Sequence, residues 1–138
     1  MTETSIQSEI DEIVEEFDFL GDWEERYRYL IDMGKALPDL PDSEKTDLNK
    51  VKGCVSQVWL LTEQEGDTLR FRADSDAHIV RGLAALLVRI YSGRTPDDIL
   101  SVDAREVLKR IGLSEHLSPQ RSNGLASMIG RIRHAAGA

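Results

Sequence analysis

Apolar and polar positions follow two periods along this chain, and the switches between them mark out its elements. Residues 5–17 place Ile6, Ile10, Ile13, Val14 and Phe17 at helical spacing with Glu and Asp between them. This predicts an amphipathic helix with an acidic outer face. Residues 18–22 break the pattern. Asp22, with Glu25 three positions later, is a helix-start signature in which the acid caps free amides. Trp23, Tyr27, Leu30, Ile31 and Gly34 then share one face of a second helix, which ends before Leu37-Pro38. Residues 37–42 contain two prolines and read as a loop. Residues 43–51 are polar and fit either a helical turn or an extended approach to the next element.

The period then changes to two. Residues 55–62 read as a first strand, rich in Val, Trp and Leu, and residues 63–67, with Gly66, as a turn. Residues 68–73 alternate Leu69, Phe71 and Ala73 with Thr68, Arg70 and Arg72, as a half-buried strand does. A hairpin alone is marginal in water, so helices must cover one face. Asp74-Ser75-Asp76 marks the return to helical period, and an oxygen side chain there can cap the next helix. That helix, residues 77–91, has the widest apolar face and is the expected centre of the core. Gly82 within it costs about 1 kcal/mol relative to alanine. It therefore implies close approach of another backbone, with the strands as the expected neighbour. Gly93 is a left-handed stop. Thr95-Pro96-Asp97-Asp98 opens a short helix ending near Leu100. Asp103 and Glu106 open another that Gly112 closes. Ser118-Pro119 opens the last, with Leu125, Met128, Ile129 and Ile132 on one face and a frayed end at Gly137-Ala138. The expected fold class is α+β: a small antiparallel β-sheet packed against several α-helices, with residues 1–138 forming one domain.

Charge and cysteine count narrow the function. The 25 acids and 17 bases give a net charge of −8, which disfavours nucleic acid as a partner. No run of about 18 apolar residues is present, so no membrane span is expected. Residues 1–16 carry no lysine or arginine and do not read as a signal peptide, so a cytoplasmic location is expected. The chain has a single cysteine, Cys54, which excludes an internal disulfide and a multi-cysteine zinc or iron–sulfur site. If Cys54 acts, it acts as one thiol toward something outside this chain.

Gly53 makes a bend before Cys54 easy, and the β-prone run follows at once. The thiol therefore sits where a loop enters a strand. A lone cysteine is ordinarily a small buried hydrophobe, and the alternative is a thiol presented on a fixed scaffold. Lys52 is either a solvated lysine or a cation that favours the thiolate. His78, His116 and His134 are scattered among predicted helices, and no cysteine-hydrolase signature surrounds them. No Walker-type phosphate loop is present.

Gly53-Cys54-Val55-Ser56-Gln57-Val58-Trp59 resembles the cysteine motif of the SufE family, and Asn49-Lys50-Val51 fits the residues that precede it there. Further blocks match in order: Asp74-Ser75-Asp76-Ala77 with Ile79-Val80-Arg81-Gly82-Leu83, then Tyr91-Ser92-Gly93-Arg94-Thr95-Pro96, then Leu117-Ser118-Pro119-Gln120-Arg121-Ser122-Asn123-Gly124-Leu125. The resemblance implies a fold similar to the IscU-type scaffold. It also implies a sulfur acceptor and activator for a PLP-dependent, SufS-like cysteine desulfurase. Cys54 would carry the persulfide and pass it to an iron–sulfur scaffold complex. PLP would belong to the partner and no cofactor to this chain. Gly53, Ser56, Gln57, Asp74, Ser75, Asp76 and Arg121 would support the thiol or bind the partner. For Ser56 and Gln57 the plainer role is strand-edge hydrogen bonding, and for Asp74, Ser75 and Asp76 it is starting a helix. Arg121 would either bind the partner or steady the cysteine loop. Val55 departs from the family, which commonly has a polar residue there. Two other readings remain: a regulatory module that carries no sulfur, and a self-sufficient thiol enzyme.

Overall fold

The computed structural model describes residues 5–53 and 56–138. Helices α1 (Ile6–Phe19) and α2 (Trp23–Ala36) come first, followed by strands β1 (Val58–Glu65) and β2 (Thr68–Ser75). Helices α3 (His78–Tyr91), α4 (Pro96–Leu100), α5 (Ala104–Arg110) and α6 (Pro119–Ala135) complete the α+β fold. The helix starts fall where capping residues stand. Ser5, Asp22, Thr95, Asp103 and Ser118 each accept a backbone N–H from the first turn they precede. Gly93 and Gly112 adopt left-handed backbones at φ +78° and +76° after α3 and α5.

The core forms around α3. Ile79, Val80, Leu83, Leu86, Leu87 and Ile90 are buried, and α1 brings Ile10, Ile13 and Phe17 against the same cluster. Tyr91 is buried with its hydroxyl satisfied: it donates to the Val102 carbonyl (2.8 Å) and accepts from the Ala104 N–H (2.9 Å). Burial raises its pKa. The neighbour that Gly82 admits is α2, not the strands. A Cβ on Gly82 would lie 2.3 Å from the Leu30 carbonyl oxygen, and one on Gly34 would lie 2.7 Å from the Gly82 nitrogen. Glycine faces glycine where the two helices cross. Sequence periodicity locates such a glycine but not the element it meets.

The sheet has two antiparallel strands in register from Val58 opposite Ser75 to Glu65 opposite Thr68. Val58, Leu60, Leu69, Phe71 and Ala73 point into the core. Both strands outlast their apolar patterns. β1 continues through exposed Glu63, Gln64 and Glu65, so the turn shrinks to Gly66-Asp67. Gly66 is at φ +61°, the first loop position, where a type II′ hairpin turn takes glycine. Among the described residues, β1 begins at Val58 and not in the preceding segment, because the Gln57 peptide is bonded elsewhere, as set out below. Isolated bridges blunt both sheet edges: Lys50 pairs with Trp59, and Leu69 with Arg94.

Arg89 on α3 ties α1 to the core. Its Nε donates to Glu9 (2.6 Å), and its Nη1 and Nη2 reach the two Glu16 oxygens (2.8 and 2.6 Å). Tyr29 of α2 also donates to Glu16. The hydrogen bond from Arg89 is the main cause that holds the Glu16 carboxyl below its usual range. A depressed carboxylate stabilises the fold above its unfolded pKa, and that contribution is lost as pH falls through the folded pKa. Glu16→Gln should therefore be less stable than the parent at pH 7. The gap in urea-unfolding free energy should narrow as pH falls below about 4; a gap that stays constant with pH would contradict this origin. Gly82→Ala should lose about 2 kcal/mol or more in the same measurement, despite alanine's better helix propensity. A stabilised Gly82→Ala would remove the close helix crossing from the account.

Candidate functional site

The chain around the cysteine is a loop closed at its base by β-pairing. The Val51 N–H donates to the Val58 carbonyl, and the Leu60 N–H donates to the Asn49 carbonyl (both 2.8 Å). Residues 52–57 leave this base and return to it. Cys54 and Val55 lie outside the described residues, and Gly53 and Ser56 are described on either side of them. The bend expected at Gly53 is present, with φ +88°. A Cβ there would also lie 2.8 Å from Ser127 Oγ on α6. Backbone angle and space thus both require glycine.

The returning limb is held by the acidic block. The Gln57 N–H donates to Asp76 Oδ1 (3.1 Å). The Gln57 carbonyl accepts from Ser75 Oγ (2.8 Å) and from the Asp76 N–H (3.2 Å). Gln57 itself is exposed, so its peptide and not its side chain carries the attachment. Helix starting is a minor part of what this block does. Ala77 caps α3 without a side-chain bond, and only Ser75 Oγ contributes, accepting the Ala77 N–H at 3.2 Å. Asp74 is 3% exposed and does something else. It accepts from the Leu40 and Ser75 N–H groups (3.1 and 2.8 Å) and pairs with Arg81 (2.8 Å) and Lys45 (3.5 Å). Lys45 also lies over the Trp59 ring, 5.3 Å from its centroid.

The outgoing limb is held by α6. Arg131 Nη1 donates to the Lys50 carbonyl (2.8 Å), and its Nη2 donates to the Leu48 carbonyl. Leu48 is 83% exposed, and Lys52 is exposed too.

Ser56 borders a cavity of about 390 Å³ between α3 and α6. Val80, Leu83, Leu125 and Met128 form its apolar floor, and Ser118, Gln120 and Arg121 stand at the first turn of α6. Arg121 Nη1 donates to the Tyr27 hydroxyl (2.7 Å), which ties the start of α6 to α2. No histidine lines this cavity among the described residues; His78 borders a separate cleft with Asp76, Arg81 and Lys35. Among the described residues no group of three His, Cys, Asp or Glu side chains is placed to hold a metal ion. None of the described helices is long and apolar enough to cross a membrane.

Gly53, Ser56, Gln57, Ser75 and Asp76 thus converge on one loop, while Asp74 supports it from beneath and Arg121 stands across the cavity. Arg131 gives no signal in the sequence, and Tyr27 reads there only as part of the apolar face of α2. Both act over long sequence separations, and Arg131 acts on backbone carbonyls that carry no sequence signal.

This is a class of α+β protein in which a helix-covered hairpin presents one cysteine-bearing loop. The chain belongs to the SufE family: the family model, described as an Fe-S metabolism associated domain, matches residues 11–136. A SufE-like protein of Rhizobium etli is 51% identical over 138 residues, spanning 97% of this chain and 93% of the relative. One from Rhizobium meliloti is 51% identical over 131 residues, spanning 92% of this chain and 94% of the relative. The solution structure of a hypothetical protein from Thermus thermophilus superposes with a TM-score of 0.77 at 24% identity, covering 93% of each chain, and shares the fold.

Asp76 is exposed, so its loss should loosen the loop without unfolding the protein. Asp76→Ala should raise hydrogen exchange at the Gln57 amide about fivefold or more, with the melting temperature nearly unchanged. An unaltered Gln57 amide would mean that Asp76 does not hold this limb.

Proposed function

We propose that this protein accepts sulfur on Cys54 from a PLP-dependent cysteine desulfurase and passes it on for iron–sulfur cluster assembly. The observation that carries the reading is the anchoring of the cysteine loop on both limbs beside a cavity with an apolar floor and a polar rim. Membership of a family associated with Fe-S metabolism supports it. A loop fixed at its base suits a thiol that must be handed to another protein.

The chemistry is an exchange at sulfur. The desulfurase removes sulfur from free cysteine and holds it as a cysteine persulfide. The thiolate of Cys54 attacks the outer sulfur of that persulfide. A new S–S bond forms at Cys54, the donor's S–S bond breaks, and its electron pair leaves on the donor cysteine as thiolate. The exchange is redox-neutral and needs no oxidant. It regenerates the desulfurase thiolate, so acceptance of sulfur also speeds the partner's turnover. The same exchange onto a recipient thiol of a scaffold complex unloads Cys54. The apolar floor of Val80, Leu83, Leu125 and Met128 would limit water around the loop. Arg121 supplies positive charge at the mouth of the cavity, where a thiolate or persulfide anion is favoured.

Cysteine-dependent sulfide release by a cognate desulfurase, with intact mass recorded, tests the reading. The protein should raise the rate and gain about 32 Da, one sulfur atom, and Cys54→Ser should lose both effects. Stimulation that survives in Cys54→Ser would replace the carrier with a regulatory module. Turnover of a thiol-dependent substrate without any partner would replace it with a self-sufficient enzyme.

A further inference from the structure

We propose that Arg131 is a positioning residue for sulfur acceptance: it fixes the outgoing limb of the cysteine loop against α6 and so limits where the Cys54 thiol can go. The proposal deepens the carrier reading and takes its meaning from it, but its test needs no desulfurase.

The Asn49 carbonyl and the Val51 N–H face β1 and are paired there. The Leu48 carbonyl, in the turn over residues 47–49, and the Lys50 carbonyl are turned to α6 instead. Arg131 takes both, one with each terminal nitrogen of its guanidinium. A planar fork spans two carbonyls in this way, whereas a lysine ammonium offers a single point of charge. Ser127 stands one helical turn earlier on the same face of α6, and its Oγ lies where a Cβ of Gly53 would be. One face of α6 thus holds the outgoing limb by bonds at Leu48 and Lys50 and closely approaches it at Gly53.

The geometry matters because sulfur exchange needs the attacking thiolate held near the donor sulfur in a narrow range of directions. The returning limb is fixed through Gln57. The outgoing limb is held by its pairing with β1, by local turn bonds from Asn49 and Lys50 to Glu44, Thr46 and Asp47, and by the grip of α6. Arg131 is the charged part of that grip, and its guanidinium is partly exposed at the surface, so it can be changed without opening the core.

The experiment compares Arg131→Gln and Arg131→Lys with the parent, all as free full-length protein. Amide exchange at Val51 and Leu60 should rise roughly fivefold to twentyfold in Arg131→Gln, as expected for losing charge-assisted bonds. Exchange within the β1–β2 hairpin near Phe71 should not change. Alkylation of Cys54 by iodoacetamide should quicken at least about threefold, in proportion to the freed limb. Arg131→Lys, which keeps the charge and most of the stem, should restore neither.

Freed amides with unchanged Cys54 alkylation would overturn the proposal and leave Arg131 as cover for a sheet edge. A uniform rise in exchange across the whole chain would overturn it in favour of a general folding role. Full restoration by Arg131→Lys would also overturn it, since charge alone would then suffice. Failure of the parent protein to gain sulfur from a desulfurase would sink the carrier reading separately, and these measurements on the free protein would stand.

Discussion

A carboxylate buried at the end of β2 joins segments far apart in sequence, and the cysteine loop depends on where it sits. Asp74 pairs with Arg81 of α3, and Arg81 also donates to the Gly34 and Leu37 carbonyls at the end of α2 (2.7 and 2.5 Å). The Leu40 N–H and Lys45 complete the carboxylate's partners from the following segment. A buried charge is costly unless it is paired and hydrogen-bonded, and removing one member of such a pair typically loses about 3–5 kcal/mol. The knot gives little net stability relative to an apolar replacement, but it fixes position. Ser75 and Asp76 follow Asp74 in the chain, so holding Asp74 determines how they meet the Gln57 peptide.

The helix crossing extends that control. Gly34 and Gly82 let α2 and α3 approach until backbone meets backbone. α2 is thereby set close enough for Tyr27 to receive Arg121 from the start of α6. α6 in turn carries Ser127 and Arg131 against the outgoing limb. The outgoing limb is therefore placed by a relay of helix contacts, and the returning limb by direct bonds from the strand end. The Asp74 knot and the Arg131 bonds act on different limbs, so loss of the Arg131 bonds does not by itself remove the knot.

Much of the fold was legible because α1, α2 and α6 announce themselves twice, by apolar period and by capping residue, and α3 by its apolar period. α4 is five residues long and shows no useful period, yet Thr95-Pro96 marked its start. The hairpin was less legible at its far end, where Glu63, Gln64 and Glu65 are strand residues with solvent on both faces and so show no alternation. The acidic block was visible as a motif, but its division of labour was not. Whether an Asp caps a helix, pairs with a buried arginine or accepts a distant N–H depends on tertiary placement. Family resemblance pointed to Cys54, Gly53 and Arg121 from local words in the sequence. Arg131 has no such word, because its partners are carbonyls 81 and 83 residues away.

The closed base of the loop limits what the thiol can do. The Val51–Val58 hydrogen bond closes residues 52–57 into a short span. Three residues of extended chain span at most about 10 Å, so Cys54 cannot travel further from the base than that while the pairing holds. If Cys54 carries sulfur as proposed, so short an arm cannot reach into a distant site on its own. On the proposed reading a partner would have to bring the donor sulfur to this loop, beside the surface of Leu48, Ser56 and Arg121. Reach is thereby exchanged for orientation: an arm tied at both ends explores few directions, and an exchange between two sulfur atoms needs only one of them.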